Sequence, residues 1–255
     1  MLRGRLNQSG FNLIELMIAV VIGMFIVLGI SQIFISMYST SQSQDTMAQF
    51  QDNERLASTM LMNSIQMAGY YYTSGVPTST ASPLTTYTNS DGSIFTSGNG
   101  LVGTGSAVST ASDTINTYFA SGGADKDGVI NCQGGTAPTG TYTTYINNFS
   151  INSSHQLVCA LSTNGATANT GLVLASNIQN MTILYGVVTK TGGTTTDTYA
   201  SAAKVTSNSW WGSVRTVQVT INFCTAGILN PNAKITYPCA TTPWIQTINI
   251  MGLSQ

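Results

Sequence analysis

The chain has 255 residues, of which only 7% are charged and 42% hydrophobic, with a formal net charge of −1. A typical chain carries charge at about a quarter of its positions. Low charge with this much apolar content excludes a disordered acidic or basic tail, and the length suits one long helix plus a cored domain. After Arg55 the cations are Lys126, Lys190, Lys204, Arg215 and Lys234, widely scattered. No basic patch for nucleic acid exists, so no nucleic-acid partner is expected.

Residues 1–10 form a short polar leader with Arg3 and Arg5 as its only charges. From Phe11 to Tyr38 the sequence is apolar, long enough to cross a bilayer as a helix. Its one charged side chain is Glu15. A carboxylate in lipid costs about 3 kcal/mol or more unless it is paired, which makes Glu15 a functional candidate. The small residue Gly10 precedes the apolar core, whereas a secretory signal has its cleavage site after the core and discards it. Cutting after Gly10 keeps the helix on the mature chain. It also leaves six basic side chains against nine acidic ones.

The helical pattern continues past the apolar run. The first proline is Pro77, and no glycine lies between Gly29 and Gly69. Met47, Phe50, Ala57, Met60, Leu61, Ile65 and Ala68 recur close to one face, which predicts an amphipathic helix over 39–69. A continuous helix from Phe11 to Ala68 would run for roughly 87 Å. Its weakest stretches are Ser31-Gln32 and Ser36 to Gln44, whose residues have modest helix propensity. Residues 70–112 are rich in Ser, Thr and Gly and read as a connecting loop, with one short strand near Ile94-Phe95.

From residue 113 strand signals dominate. Extended runs are expected at Thr114–Ala120, Val129–Ile130, Tyr142–Ile151, Gln156–Leu161, Ile178–Val188, Val214–Phe223 and Trp244–Ile250. No helical pattern of about 10 to 15 residues separates them, which favours an antiparallel head over 113–255. The fold class is therefore α+β, a long N-terminal spine packed on an antiparallel β head.

Four cysteines, Cys132, Cys159, Cys224 and Cys239, follow the membrane stretch and allow three pairings. Their spacing does not read as zinc. In an exported domain they would form disulfides, and Cys132–Cys159 with Cys224–Cys239 closes the two short local loops. Loops of this size stabilise by about 3 kcal/mol each.

Catalytic material is scarce. After Glu54 there is no glutamate, and the only histidine, His155, sits in Asn152-Ser-Ser-His155-Gln, a turn between strands. Asp125-Lys-Asp127-Gly128 superficially resembles the start of a calcium loop, but the later ligands are missing and a β-turn accounts for it. No enzyme activity, metal or cofactor is expected. Tyr70-Tyr71-Tyr72 and Trp210-Trp211 read as packing aromatics.

Gly10-Phe11 with Glu15 four residues on, a basic leader and a long apolar helix resembles the class III signal of type IV pilins and pseudopilins. In order, the head carries Ala68-Gly69-Tyr70, Ser112-Asp113-Thr114-Ile115, Asp127 to Gly134, Leu157-Val-Cys159, Ile178 to Gly186 and Trp211 to Val219. This series resembles PilW-type minor pilins. Thr189 to Thr198 departs from that pattern, replacing the usual charged residues with Thr and Gly.

The resemblance implies cleavage after Gly10 by a prepilin peptidase and N-methylation at Phe11. Glu15 would then face the new ammonium of a neighbouring subunit. The partners implied are other minor pilins and the major pilin, reached through the N-terminal helix. The chain would sit in the bacterial inner membrane, head in the periplasm, before joining an extracellular pilus. There it would prime or cap assembly and support adhesion and motility. A minor pseudopilin of a type II secretion system, or a pilus-associated adhesin acting through the 73–112 or 189–198 loop, stays open beside it, as does a membrane-tethered enzyme using His155.

Overall fold

The computed structural model describes residues 12–72, 84, 86–88, 94–96, 98–105, 112–123, 125–224, 236–239 and 241–251. The leader, Gly10 and Phe11 lie outside the described residues. The chain divides into two units, 1–48 and 49–255. One helix, α1 (Leu13–Gln66), contributes to both.

In the first unit the large side chains of α1 from Leu13 to Tyr38 are exposed. The segment with weak helix propensity is helical nonetheless. The hydroxyls of Ser31, Thr40, Ser43 and Thr46 donate to the carbonyls of Val27, Ser36, Ser39 and Gln42, one turn back. Such bonds satisfy the side chain within the helix instead of competing with it from a turn.

In the second unit α1 buries a stripe of Ala57, Leu61, Ser64 and Ile65, at the spacing expected of one helix face. Phe50 meets Phe223 edge-on with ring centroids 5.3 Å apart. Met47, expected on the same stripe, is exposed. Gly69 ends the helical segment with φ of 86°, a left-handed conformation that glycine adopts without a Cβ clash. Its N–H donates to the Tyr118 carbonyl, and Tyr71 forms a parallel bridge to Ala120.

The head has two main antiparallel sheets where the sequence suggested one. The first orders β3 (Leu101–Thr104), β4 (Thr114–Ser121), β5 (Thr143–Ile151), β6 (Leu157–Thr163) and β7 (Leu172–Ala175). The second orders β11 (Thr241–Asn249), β10 (Val214–Cys224), β8 (Ile178–Val187) and β9 (Thr198–Ala200). A two-residue ladder joins β1 (Tyr87–Thr88) to β2 (Ile94–Phe95). A short helix, α2 (Ala202–Ser207), and a 3₁₀ turn at Trp211–Ser213 precede β10. The expected run at Val129–Ile130 is only an isolated bridge from Ile130 to Thr136.

The main core lies between α1 and residues of both sheets, including Ile115, Phe149, Met181, Tyr185, Val219 and Ile221. The stretch read as a connecting loop supplies β1, β2 and β3. There Leu84, Phe95 and Val102 pack with Tyr118 and Ile146 in a second core. That cover explains why β4 is buried along nearly its whole length, although its sequence alternates like a half-exposed strand.

Candidate functional site

Glu15 lies in the first turn of α1. Asn12 precedes the helix, and its carbonyl accepts from the amides of Glu15 and Leu16 at 3.0 and 3.3 Å. The Asn12 amide in turn donates to Glu15 Oε2 at 3.3 Å. This is the returning half of a capping box, with the acid three residues after the cap position. The resemblance implies a partner for Glu15 on a neighbouring subunit; this contact lies within the chain itself. The signal was present as Asn-x-x-Glu, but the apolar surroundings directed attention to charge pairing. Gly23 and Gly29 face open space.

The cysteines pair as Cys132–Cys159 and Cys224–Cys239, with Cα atoms 6.3 and 5.6 Å apart, in the usual range for a disulfide. The stretch around Cys132 is held by its polar neighbours. The Asn131 side-chain oxygen accepts from the amides of Gln133 and Gly135, closing the turn. Gln133 and Asn169 exchange two amide hydrogen bonds at 3.0 and 2.9 Å.

Asp127 organises the preceding loop. Its carboxylate accepts from the Tyr70 and Ser121 hydroxyls and from the amides of Gly122 and Val129. Asp125 instead accepts from the Gly140 amide and pairs with Lys126 at 3.4 Å. Chiefly that amide bond holds the Asp125 carboxyl below its ordinary value. The two acids thus serve separate loop contacts, as a structural turn requires. Burial, reinforced by the Asp127 charge, raises the Tyr70 phenol.

Ser112 and Asp113 clip the two sheets together. The Met181 amide donates to the Ser112 hydroxyl at 3.2 Å, and the Asp113 amide donates to the Met181 carbonyl at 2.8 Å. The Ile183 amide donates to Asp113 Oδ2, also at 2.8 Å. Tyr185, next but one on β8, is fully buried and meets Trp211 edge-on at 4.9 Å. Burial, and then the Asp113 charge, push its phenol well above the ordinary value.

Sequence reasoning missed the polar hub at Asn147. This residue is fully buried between Tyr145 and Phe149 on β5. Its Oδ1 accepts from the Cys132 amide at 3.2 Å, while its Nδ2 donates to Thr117 and Ser64 at 3.3 and 3.5 Å. It therefore ties α1, β4 and the Cys132 turn to β5. The visible signal was an amide standing at an inward position of an otherwise aromatic face.

His155 is in the turn between β5 and β6. Its ring stacks on Tyr237 with centroids 3.3 Å apart, and Nδ1 is 3.1 Å from the Ile178 carbonyl. Beside it the Cys239 amide donates to the Gln179 side-chain oxygen at 2.8 Å, fixing Cys239 against β8. The Thr189–Thr198 stretch is likewise ordered. Partial desolvation opposes ionisation of Asp197, but hydrogen bonds from Thr189, Lys190 and Thr198 outweigh it and lower the carboxyl's pKa.

Residues 5–31 match the prokaryotic N-terminal methylation motif. Residues 143–226, from β5 to the first residues beyond β10, match the family described as type IV pilus-assembly protein W. Over these two segments the chain is similar to PilW-like type IV pilins. None of the curated proteins matches it. The matched head region contains Asn147, which ties β5 to α1, Cys159, which is bonded to Cys132, and the Tyr185–Trp211 ring contact. The prepilin-type start and the apolar helix anchor it in the inner membrane, with pilus assembly outside. Other pilus components and a prepilin peptidase are its implied partners.

Proposed function

We propose that the chain is a minor pilin that primes or caps a type IV pilus and so supports adhesion and motility. A prepilin peptidase cuts after Gly10, and Phe11 becomes the methylated N-terminus. Residues 1–10 are the leader, 11–38 the membrane half of the spine, 39–69 its amphipathic half, and 113–255 the head. Before assembly the helix sits in the inner membrane; afterwards it packs among the helices of other minor pilins and the major pilin.

The observation that carries this reading is the exposed apolar run from Leu13 to Tyr38 with the single carboxylate Glu15 in its first turn. Lipid satisfies such a surface before assembly and neighbouring helices satisfy it afterwards. The head supports a structural role, since its acids and His155 are engaged in loop and sheet contacts rather than gathered in a cleft. The PilW-like match over 143–226 favours a pilus over a secretion filament.

Deleting the gene is expected to remove surface pili and twitching while leaving type II secretion intact. Loss of secreted enzymes with normal piliation would assign the chain to the secretion apparatus instead.

A further inference from the structure

The four-stranded sheet turns one face to the core; among the described residues the other face is part-exposed to exposed, apart from the buried Gly186. On that outer face, Thr182, Thr220 and Ile245 stand side by side across β8, β10 and β11, and Leu184, Gln218 and Thr247 form the next row. Within these rows Gln218 donates to the Thr247 hydroxyl at 3.5 Å. In the row at the Asn222 end, Asn222 donates to Asn180 at 2.6 Å. None of these positions carries a charged side chain.

At the other end of the face, Gly186 is flanked by Thr216 on β10 and Tyr199 on β9. The Thr216 hydroxyl donates to the Tyr199 hydroxyl at 3.4 Å, so the tyrosine reaches across Gly186 toward β10. Thr196, from the Thr-rich loop, shares a 3.1 Å hydrogen bond with the same Thr216 hydroxyl. A Cβ at residue 186 would overlap the hydroxyl of Thr216 and the methyl of Thr196. Glycine is what allows the three hydroxyls to converge. Tyr199 remains 46% exposed, its side chain laid along the sheet.

We propose that this face, centred on Tyr199, Thr216 and Gln218, binds a neutral polysaccharide. Hydroxyl and carboxamide groups both donate and accept, as sugar hydroxyls do, and a row of them can exchange hydrogen bonds with successive sugar units. A tyrosine lying along the sheet offers an apolar plate for the C–H face of a sugar ring, and Tyr with small polar residues is adaptable recognition chemistry. None of the named face positions is charged, so they offer an anionic polymer no cation to pair with. A protein partner would require a larger apolar centre than Leu184 and Ile245 provide. The proposal holds whichever filament carries the chain.

The test is co-sedimentation of the disulfide-intact full chain, in detergent micelles, with microcrystalline cellulose or chitin, and with alginate gel as the anionic control. Binding to cellulose or chitin is expected at low and high salt alike, since no ion pair is involved. Tyr199→Ala should lower the bound fraction about fivefold or more, while Tyr199→Phe keeps most of it. Gln218→Ala, one row away, should lower it about twofold, and serves if the Tyr199 variant loses its parental circular dichroism spectrum. The idea is overturned if neither neutral glycan retains the chain, or if correctly folded Tyr199→Ala and Gln218→Ala bind like the parent. Binding confined to alginate and abolished by salt would also overturn it. So would a Tyr199-dependent dimer without glycan binding, which would give the face to a second copy.

Discussion

Glu15→Val is expected to be inserted and processed normally, yet to enter filaments at about one-tenth of the parental level or less. Valine removes an ionisable group from lipid, so the helix becomes a better plain anchor; only a role beyond anchoring predicts a loss. Glu15→Gln separates the two contributions of the side chain. Its amide oxygen can still accept from the Asn12 N–H, whereas its charge is gone. Charge pairing with a neighbouring terminus predicts that Gln fails nearly as badly as Val. A pure capping role predicts that Gln assembles like the parent. Quantifying each variant in sheared filaments against its membrane level reads the difference.

Asn147→Ala should destabilise the head by about 2–3 kcal/mol, because the Cys132 amide loses its acceptor in a site without access to water. The Thr117 and Ser64 hydroxyls lose a donor in the same step. For a domain of this size that corresponds to a melting temperature lower by about 4–12 °C. Thermal unfolding of the full chain in detergent, followed by circular dichroism, measures it. Thr220→Ala, on the outer sheet face, should stay within about 0.5 kcal/mol of the parent. Equal melting of Asn147→Ala and the parent would show that the hub is not what joins helix to sheet.

The elements visible in the sequence were those whose side-chain period reports burial directly. β8 and β10 read correctly because their inward positions are apolar and their outward positions, Leu184 and Gly186 apart, are polar, and the inner face packs on one core. The stripe Ala57, Leu61 and Ile65 was legible for the same reason at helical spacing. What escaped was structure made by distant polar contacts. β3 and β7 have four residues each, too few for a period to register. The covering role of Leu84 and Phe95 depends on a fold-back across β4 and β5 that no local pattern encodes. The joining of the two sheets rests on the Ser112–Asp113 clip, whose partners lie about 70 residues away.

The candidate site divided in the same way. Glu15 stood out because one charge in an apolar run is conspicuous, and its contact with Asn12 is local. The convergence of Tyr199, Thr196 and Thr216 over Gly186 was invisible, since it needs the register of three strands. In the sequence the Thr-rich loop was only a departure from the family pattern; in the fold it is fastened by Asp197 and contributes Thr196 to that face.

The central claim is that this chain enters a filament as a processed pilin. Intact mass and terminal-peptide mass spectrometry on the chain recovered from purified filaments tests it most directly. The account predicts a polypeptide beginning at Phe11 with a single methyl group on its terminal nitrogen. A filament subunit still carrying residues 1–10 would contradict it.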